Sequence, residues 1–307
     1  MLQVLLSQLS SLRSRRGGPQ SAPTIELQKQ WTEKGYAHLK SVVDPKLIDE
    51  LLADLKVFRG SCGETKDECG FGGRIGLFHI ENKKSLEVAF NQKVQNFLKW
   101  AFHSDPILFG SLSFEVGTEQ SAHRDNIFFY TQPATAMAGA WTALEEVDAD
   151  AGPLFYYPGS HLWPVIRGQD VIAAFPELSQ KYELARNQKL SPEETAAVIS
   201  EIANCWHELT RQQILERNAK PEPVLIKKGD VLIWHGLLVH GGLPRTNRKI
   251  SRNSMVVHYI AKNCDFWDHN SYILLKNQEF NSENKLNMKP KKVSSGHFIE
   301  HDKPVTY

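Results

Sequence analysis

The feature that most restricts the fold is a change of texture at Ile107. From there to Ile260, short runs rich in Phe, Tyr, Val, Leu and Trp alternate with Gly, Pro and Asp. The runs are Leu108 to Val116, Ile127 to Thr131, Ala138 to Leu144, Leu154 to Tyr157, Val224 to Ile226, Val231 to Val239 and Ser254 to Ile260. Apolar runs of this length between turn-forming residues suit strands, and this many in succession indicate an all-β barrel or sandwich. A helical insert, about residues 168–222, interrupts them. Ser191-Pro192-Glu193-Glu194 is a capping box with Pro at the first helical position, and Val198, Ile202, Trp206 and Leu209 then follow a 3.6-residue period.

The segment before the barrel reads as mainly helical, with Thr24 to Arg59 as helix, turn, short strand and helix. Asp44-Pro45 combines an N-cap with a first-turn proline, and Leu47, Leu51, Leu52 and Leu55 supply an apolar face. Ser85 to Phe102 reads as one further helix, after a glycine-dense loop from Cys62 to Gly76. The expected organisation is a basic amphipathic segment at 1–25, one domain over 26–262, and a surface-wrapping tail at 263–307.

Composition removes several classes of function. Lys and Arg total 36 against 35 Asp and Glu, a net charge of +1, which argues against binding nucleic acid by bulk phosphate attraction. No apolar run reaches the ~18 residues of a membrane span. The four cysteines form no CxxC pair. Cys62 and Cys69 bracket a charged loop and could form a disulfide or half a zinc site, but free thiols in a reducing compartment are the simpler expectation. Leu2, Leu5, Leu6, Leu9 and Leu12 lie at helical spacing, followed by Arg13, Arg15 and Arg16 with no acidic residue before Glu26. That pattern suits either a docked helix or an organellar transit peptide. A cytoplasmic location is therefore expected, with an organelle as the alternative.

The chemistry concentrates at Gln120-Ser121-Ala122-His123-Arg124-Asp125. Residues two apart on a strand face one side, so His123 and Asp125 would present an imidazole and a carboxylate together. His240, at the end of another strand-like run, is the best candidate for a third ligand. Two histidines and one carboxylate on one face of an octahedral iron leave three positions open, as non-haem Fe(II) oxygenases require. A His-x-Asp alone is a weak motif, because it arises often by chance.

Several ordered blocks give it context: Trp31-Thr-Glu-Lys-Gly-Tyr36, Gly117 to Asp125, Trp141-Thr-Ala-Leu-Glu145, Ala151-Gly-Pro-Leu154, Tyr157-Pro-Gly-Ser-His161 and Lys228 to Gly241. With these the chain resembles the phytanoyl-CoA dioxygenase family of Fe(II)/2-oxoglutarate-dependent oxygenases, over residues 31 to about 259. The resemblance implies a mainly β fold with flanking helices, a double-stranded β-helix or jelly-roll barrel holding the metal inside one end. It implies a dioxygenase that hydroxylates a C–H bond of a small metabolite or lipid-like substrate, giving succinate and CO2. Its cofactors would be Fe(II), 2-oxoglutarate and O2, with ascorbate as a candidate stimulant. Matched residue by residue, His123, Asp125 and His240 are the metal ligands. Arg252 pairs with the distal carboxylate of 2-oxoglutarate, and Trp141 lies beside that cosubstrate.

Arg245 and Arg248 compete with Arg252 by proximity, but Arg252 opens the following strand, from which it could reach into a barrel. Gly242 departs from the family, where a hydroxyl residue often contacts the cosubstrate. His161 is expected to be structural at a tight turn. His235 and His240, five apart on one strand, are expected on opposite sides, whereas His258 shares the phase of Arg252. Arg74 is expected to be a solvated loop residue, and the insert to be either a lid or a packed surface helix pair. The alternative function is a non-catalytic or cosubstrate-independent cupin-like metal-binding protein. The partner is a small-molecule substrate, and the oligomeric state stays open.

Overall fold

The computed structural model describes residues 22–62, 74–128, 130–267, 290–293 and 296–299. The alternative Cys62–Cys69 pairing falls outside them at Cys69, as does the basic segment up to residue 21; Cys205 and Cys264 are free thiols, as expected.

Before the barrel come α1 (Ile25–Lys29), β1 (Tyr36–Leu39), α2 (Pro45–Cys62), β2 (Ile75–Gly76), α3 (Lys83–Ala89) and α4 (Gln92–Phe102). The expected start of α2 holds, with Asp44 Oδ1 accepting from the Lys46 amide at 2.8 Å. The single helix expected over 85–102 is two helices. Asn91 divides them, because its side-chain oxygen caps the amides of Lys93 and Val94 and so begins a new helix. The strands that follow are β3 (Pro106–Phe114), β4 (Tyr130–Gln132), β5 (Met137–Ala143) and β6 (Leu154–Tyr156).

The insert holds α5 (Gly168–Ala174), α6 (Ser179–Arg186) and α7 (Pro192–Glu216). The capping box forms as its sequence predicts: Ser191 Oγ accepts from the Glu194 amide at 3.2 Å and Glu194 Oε2 accepts from the Ser191 amide at 2.8 Å. After the insert come β7 (Glu222–Pro223), β8 (Val231–His235), β9 (His240–Gly242), β10 (Ser254–Ala261), β11 (Asp265–Trp267), β12 (Pro290–Val293) and β13 (Gly296–Ile299). The run expected as one strand over 231–239 is broken by a turn, where the Leu238 amide bonds back to the His235 carbonyl at 2.8 Å.

Among the described residues the main sheet has the order β1-β8-β5-β10-β3-β13-β12, with β2 also on β3. A small sheet, β7-β6-β9, faces it, and β11 pairs with β4. This is the two-sheeted jelly-roll core of a double-stranded β-helix. The alternation along β10 shows why: Met255, Val257 and Tyr259 join an apolar cluster with Leu51, Leu55, Phe97 and Leu98 of the helices. Val256 turns the other way, onto Phe114, Trp141, Leu154, Leu232 and Trp234 between the sheets. A strand buried on both faces reads as a continuous apolar run.

The C-terminal region contributes to this core. β13 pairs in parallel with the start of β3, His297 opposite Ile107 and Phe298 opposite Leu108, and β2 covers the other half of the same edge.

Candidate metal centre

His123 and His240 lie on neighbouring backbone segments that form an isolated antiparallel bridge. Each donates its amide to the other's carbonyl, at 2.8 and 2.9 Å. Their rings are 4.5 Å apart, centre to centre. In each ring Nδ1 lies against the carbonyl two residues earlier: Ser121 O at 2.8 Å for His123 and Leu238 O at 2.9 Å for His240. A carbonyl only accepts, so Nδ1 carries the proton and Nε2 keeps its lone pair for a ligand.

Both lone pairs converge on Asp125, which sits on a single helical turn, Asp125–Ile127. Its Oδ1 is 3.8 Å from His123 Nε2 and 3.5 Å from His240 Nε2, and the three donor atoms lie within 4.8 Å of one another. All three residues are buried. Burial, reinforced by the charge of His240, pushes the His123 pKa down to about 3, so its imidazole is neutral. Burial opposes ionisation of Asp125, but the rings of His240, His258 and His123 and the Trp234 N–H outweigh it, and its pKa falls below the usual carboxylate range. A neutral His123 imidazole beside an ionised Asp125 carboxylate suits a divalent cation.

The other oxygen of Asp125 has separate partners. Trp234 Nε1 donates to Oδ2 at 2.7 Å, and His258 Nε2 stands 3.9 Å from it. His258 therefore faces the interior, as its phase with Arg252 predicts. Gly139 makes the position of Trp234 possible. It lies opposite Trp234 in the sheet, and a Cβ there would fall 2.4 Å from the indole. Gln120 adds a further polar group, its Nε2 being 3.3 Å from His123 Nε2. None of Trp234, Gly139 and Gln120 stands out in the sequence, since each acts through a contact that no motif records.

Arg252 is 3% exposed and points between the sheets. Its guanidinium lies 5.4 Å from the Trp141 ring centre and 5.8 Å from that of Phe114, and one NH donates to Gly152 O at 3.2 Å. Burial lowers its pKa to about 10, with Arg245 adding to the effect and Glu145 opposing it, so it remains a cation. Trp141 is thus the floor under Arg252. Arg248 is exposed and meets Glu119, whereas Arg245 is half-buried and donates to the Arg248 carbonyl.

Other expectations meet mixed outcomes. His161 is structural, its Nε2 3.3 Å from the Thr32 carbonyl and its ring 5.4 Å from that of His235. His235 stays away from the triad, because of the turn after it rather than strand alternation. Arg74 is half-buried instead of solvated, with its guanidinium 5.7 Å from the same Phe114 ring that Arg252 faces. At Gly242 a Cβ would meet the amide nitrogens of Glu119 and Gln120 at 3.0 and 3.1 Å, so a larger residue would fit only if that backbone gave by a few tenths of an ångström.

A family model, that of phytanoyl-CoA dioxygenase, matches residues 31–254, which carry the whole triad and Arg252. The chain belongs to the phytanoyl-CoA dioxygenase family. Among curated members, the phytanoyl-CoA dioxygenase domain-containing protein 1 homolog of Caenorhabditis elegans is 25% identical over 199 residues, 64% of this chain and 60% of the relative. The peroxisomal phytanoyl-CoA dioxygenase of Bos taurus is 24% identical over 146 residues, 48% of this chain and 35% of the relative. The chain thus spans about three fifths of the length of the domain-containing relatives it matches.

The family fold is borne out by solved structures. SnoN, a non-heme alpha-ketoglutarate-dependent epimerase from nogalamycin biosynthesis, superposes with a TM-score of 0.59 at 16% identity, covering 89% of this chain and 97% of SnoN. HygX of Streptomyces hygroscopicus, solved with nickel and 2-oxoglutarate, gives 0.53 at 13% identity, covering 79% and 89%.

Proposed function

We propose that this chain is an Fe(II)- and 2-oxoglutarate-dependent dioxygenase that hydroxylates a C–H bond of a small metabolite or lipid-like substrate. The observation that carries the reading is the convergence of two histidine Nε2 atoms and Asp125 Oδ1 within 4.8 Å. Family membership, and the iron or 2-oxoglutarate named for SnoN and HygX, support it.

The residues fit the group they would hold. Two imidazoles and one carboxylate would hold an ion from one side and leave positions open, a donor set that suits Fe(II) better than an all-oxygen or thiolate set would. His123, Asp125 and His240 would be its ligands. Bound iron with 2-oxoglutarate would supply the oxidation, in which O2 converts the keto acid to succinate and CO2 and gives an oxygen atom to the substrate.

The chain's own residues bind, orient and exclude water. Arg252 presents a planar fork that can take the distal carboxylate of 2-oxoglutarate through two parallel hydrogen bonds, and its burial strengthens that pair. Trp141 limits where the guanidinium can swing. Trp234 holds Asp125 Oδ2 and so leaves Oδ1 facing the two histidine Nε2 atoms. The apolar lining of Phe114, Leu232 and Val256 keeps the interior dry around the reacting atoms. The catalytic unit in this reading is 26–262 with its insert, and it takes its outermost sheet strands from the segment after it. Among the described residues no helix is long and apolar enough to cross a membrane.

The test is to add Fe(II), 2-oxoglutarate and ascorbate to the purified chain without oxygen and look for the visible charge-transfer absorption of the chelate, then admit O2 and follow succinate. Absence of both iron uptake and the absorption would refute the reading. Iron uptake without 2-oxoglutarate binding would favour the cosubstrate-independent alternative.

A further inference from the structure

Asp125 is flanked on both sides by buried residues that reach into the helical insert. Arg124, 3% exposed, donates from Nε to Leu237 O at 3.1 Å and from one NH to Gln213 Oε1 of α7 at 3.1 Å. Longer bonds of 3.4 Å run to the carbonyls of Ser160 and Pro164. Gln213 also donates to Pro164 O at 3.0 Å, which closes a ring of three groups. Leu237 begins the turn that leads to His240, and Ser160 Oγ accepts from the Val239 amide in that turn at 2.8 Å. On the other side of Asp125, Ile127 is 2% exposed and belongs to the insert's own core with Val171, Tyr182, Ile199, Ile202 and Trp206.

A lid resting on a barrel mouth would touch the rim and leave the ligand loop alone. Here one guanidinium joins the loop of His123 and Asp125, the turn before His240, and α7. Burying a guanidinium is costly unless its donors are satisfied, so the geometry of these acceptors is strongly preferred. We propose that the insert is the anchor of the ligand loop, with Arg124 as the positioning residue that ties α7 to both arms of the triad. A displacement of α7 then alters the angle between Asp125 and His240. The description of that loop as metal-binding rests on the function proposed above.

The experiment separates the two ideas. Amide hydrogen exchange is measured on the full chain without added metal, for wild type, Gln213→Leu and Arg124→Lys, in peptides spanning 121–128 and 236–242. Cutting the tie is expected to speed exchange about fivefold or more in both peptides and leave β3 and β5 unchanged. Gln213→Leu keeps the helix and the side-chain volume, so it serves if Arg124→Lys folds poorly. Wild-type rates in both peptides, in either folded variant, would overturn the proposal.

Mn(II) is then titrated with 2-oxoglutarate present. Gln213→Leu should weaken the metal about tenfold while changing 2-oxoglutarate affinity less than about twofold, because Arg252 sits just before β10, its amide bonded to Glu115 O, and not on the insert. Equal metal affinity in wild type and Gln213→Leu would overturn the positioning role. A wild-type chain that takes up no metal would refute the function, with the exchange rates still deciding the mechanical tie.

Discussion

Trp234 and Asp125, 109 positions apart in the chain, are joined by a 2.7 Å hydrogen bond from the indole N–H to Oδ2. This bond divides the carboxylate into one oxygen held by the sheet and one presented to the two histidines. We expect Trp234→Phe, which keeps an aromatic ring and deletes the donor, to weaken Fe(II) or Mn(II) binding about 10- to 100-fold, the usual cost of losing a partner behind a ligand. Competition against a metal-sensitive dye reads this directly. An unchanged affinity in a folded variant would show that the bond orients nothing.

Metal should also stabilise the wild-type fold, because an ion that binds only the assembled triad shifts the equilibrium by mass action. At a hundred times its dissociation constant the gain is about 2.7 kcal/mol. His123→Ala removes one of three donors and should abolish the upward shift in melting temperature. A shift of wild-type size in this variant would place the ion elsewhere.

Arg252→Lys keeps the charge but loses the fork. Loss of one charge-assisted hydrogen bond is worth about 1.5–3 kcal/mol, so 2-oxoglutarate affinity should fall about 10- to 100-fold with metal affinity unaltered. Titrating the charge-transfer absorption with 2-oxoglutarate distinguishes the two affinities.

How much of this was legible from residues depends on how local each feature is. The strand runs, the Asp44-Pro45 start and the Ser191 capping box act within a few residues and are visible as patterns. His123 and Asp125 also share a short segment, His240 lies in one of the ordered blocks, and Arg252 follows from the family resemblance about a dozen residues beyond it. Trp234, Gly139 and Arg124 escaped, since their partners lie far away in the chain. Arg124 in particular occupies the middle of His-x-Asp, where the motif treats the residue as a spacer. The break after His235 was hidden because Leu237, Leu238 and Val239 are as apolar as a strand and are buried in a turn.

Acid should destabilise the metal-free protein. Burial, with a smaller contribution from a neighbouring histidine, lowers His123 and His235 from an ordinary 6.5 to about 3 in the fold. Between those values the unfolded chain binds protons that the folded chain refuses. Their contribution is complete above pH 6.5 and is lost as pH falls towards 3, at up to about 1.4 kcal/mol per pH unit for each ring. Urea midpoints between pH 7.5 and 5.5 should fall in wild type and fall less in His235→Asn, which can still accept from the Leu237 amide. Parallel slopes would remove His235 from the account.

The parallel pairing of β13 with β3 has a consequence for synthesis. β3 is among the first strands of the core to leave the ribosome, but half of its outer edge waits for residues 296–299. Until they emerge, the backbone donors and acceptors of Ile107 and Leu108 face solvent beside an apolar surface, the arrangement from which strands pair with the wrong chain. A message truncated before codon 290 would keep every proposed ligand and still yield a protein prone to self-association.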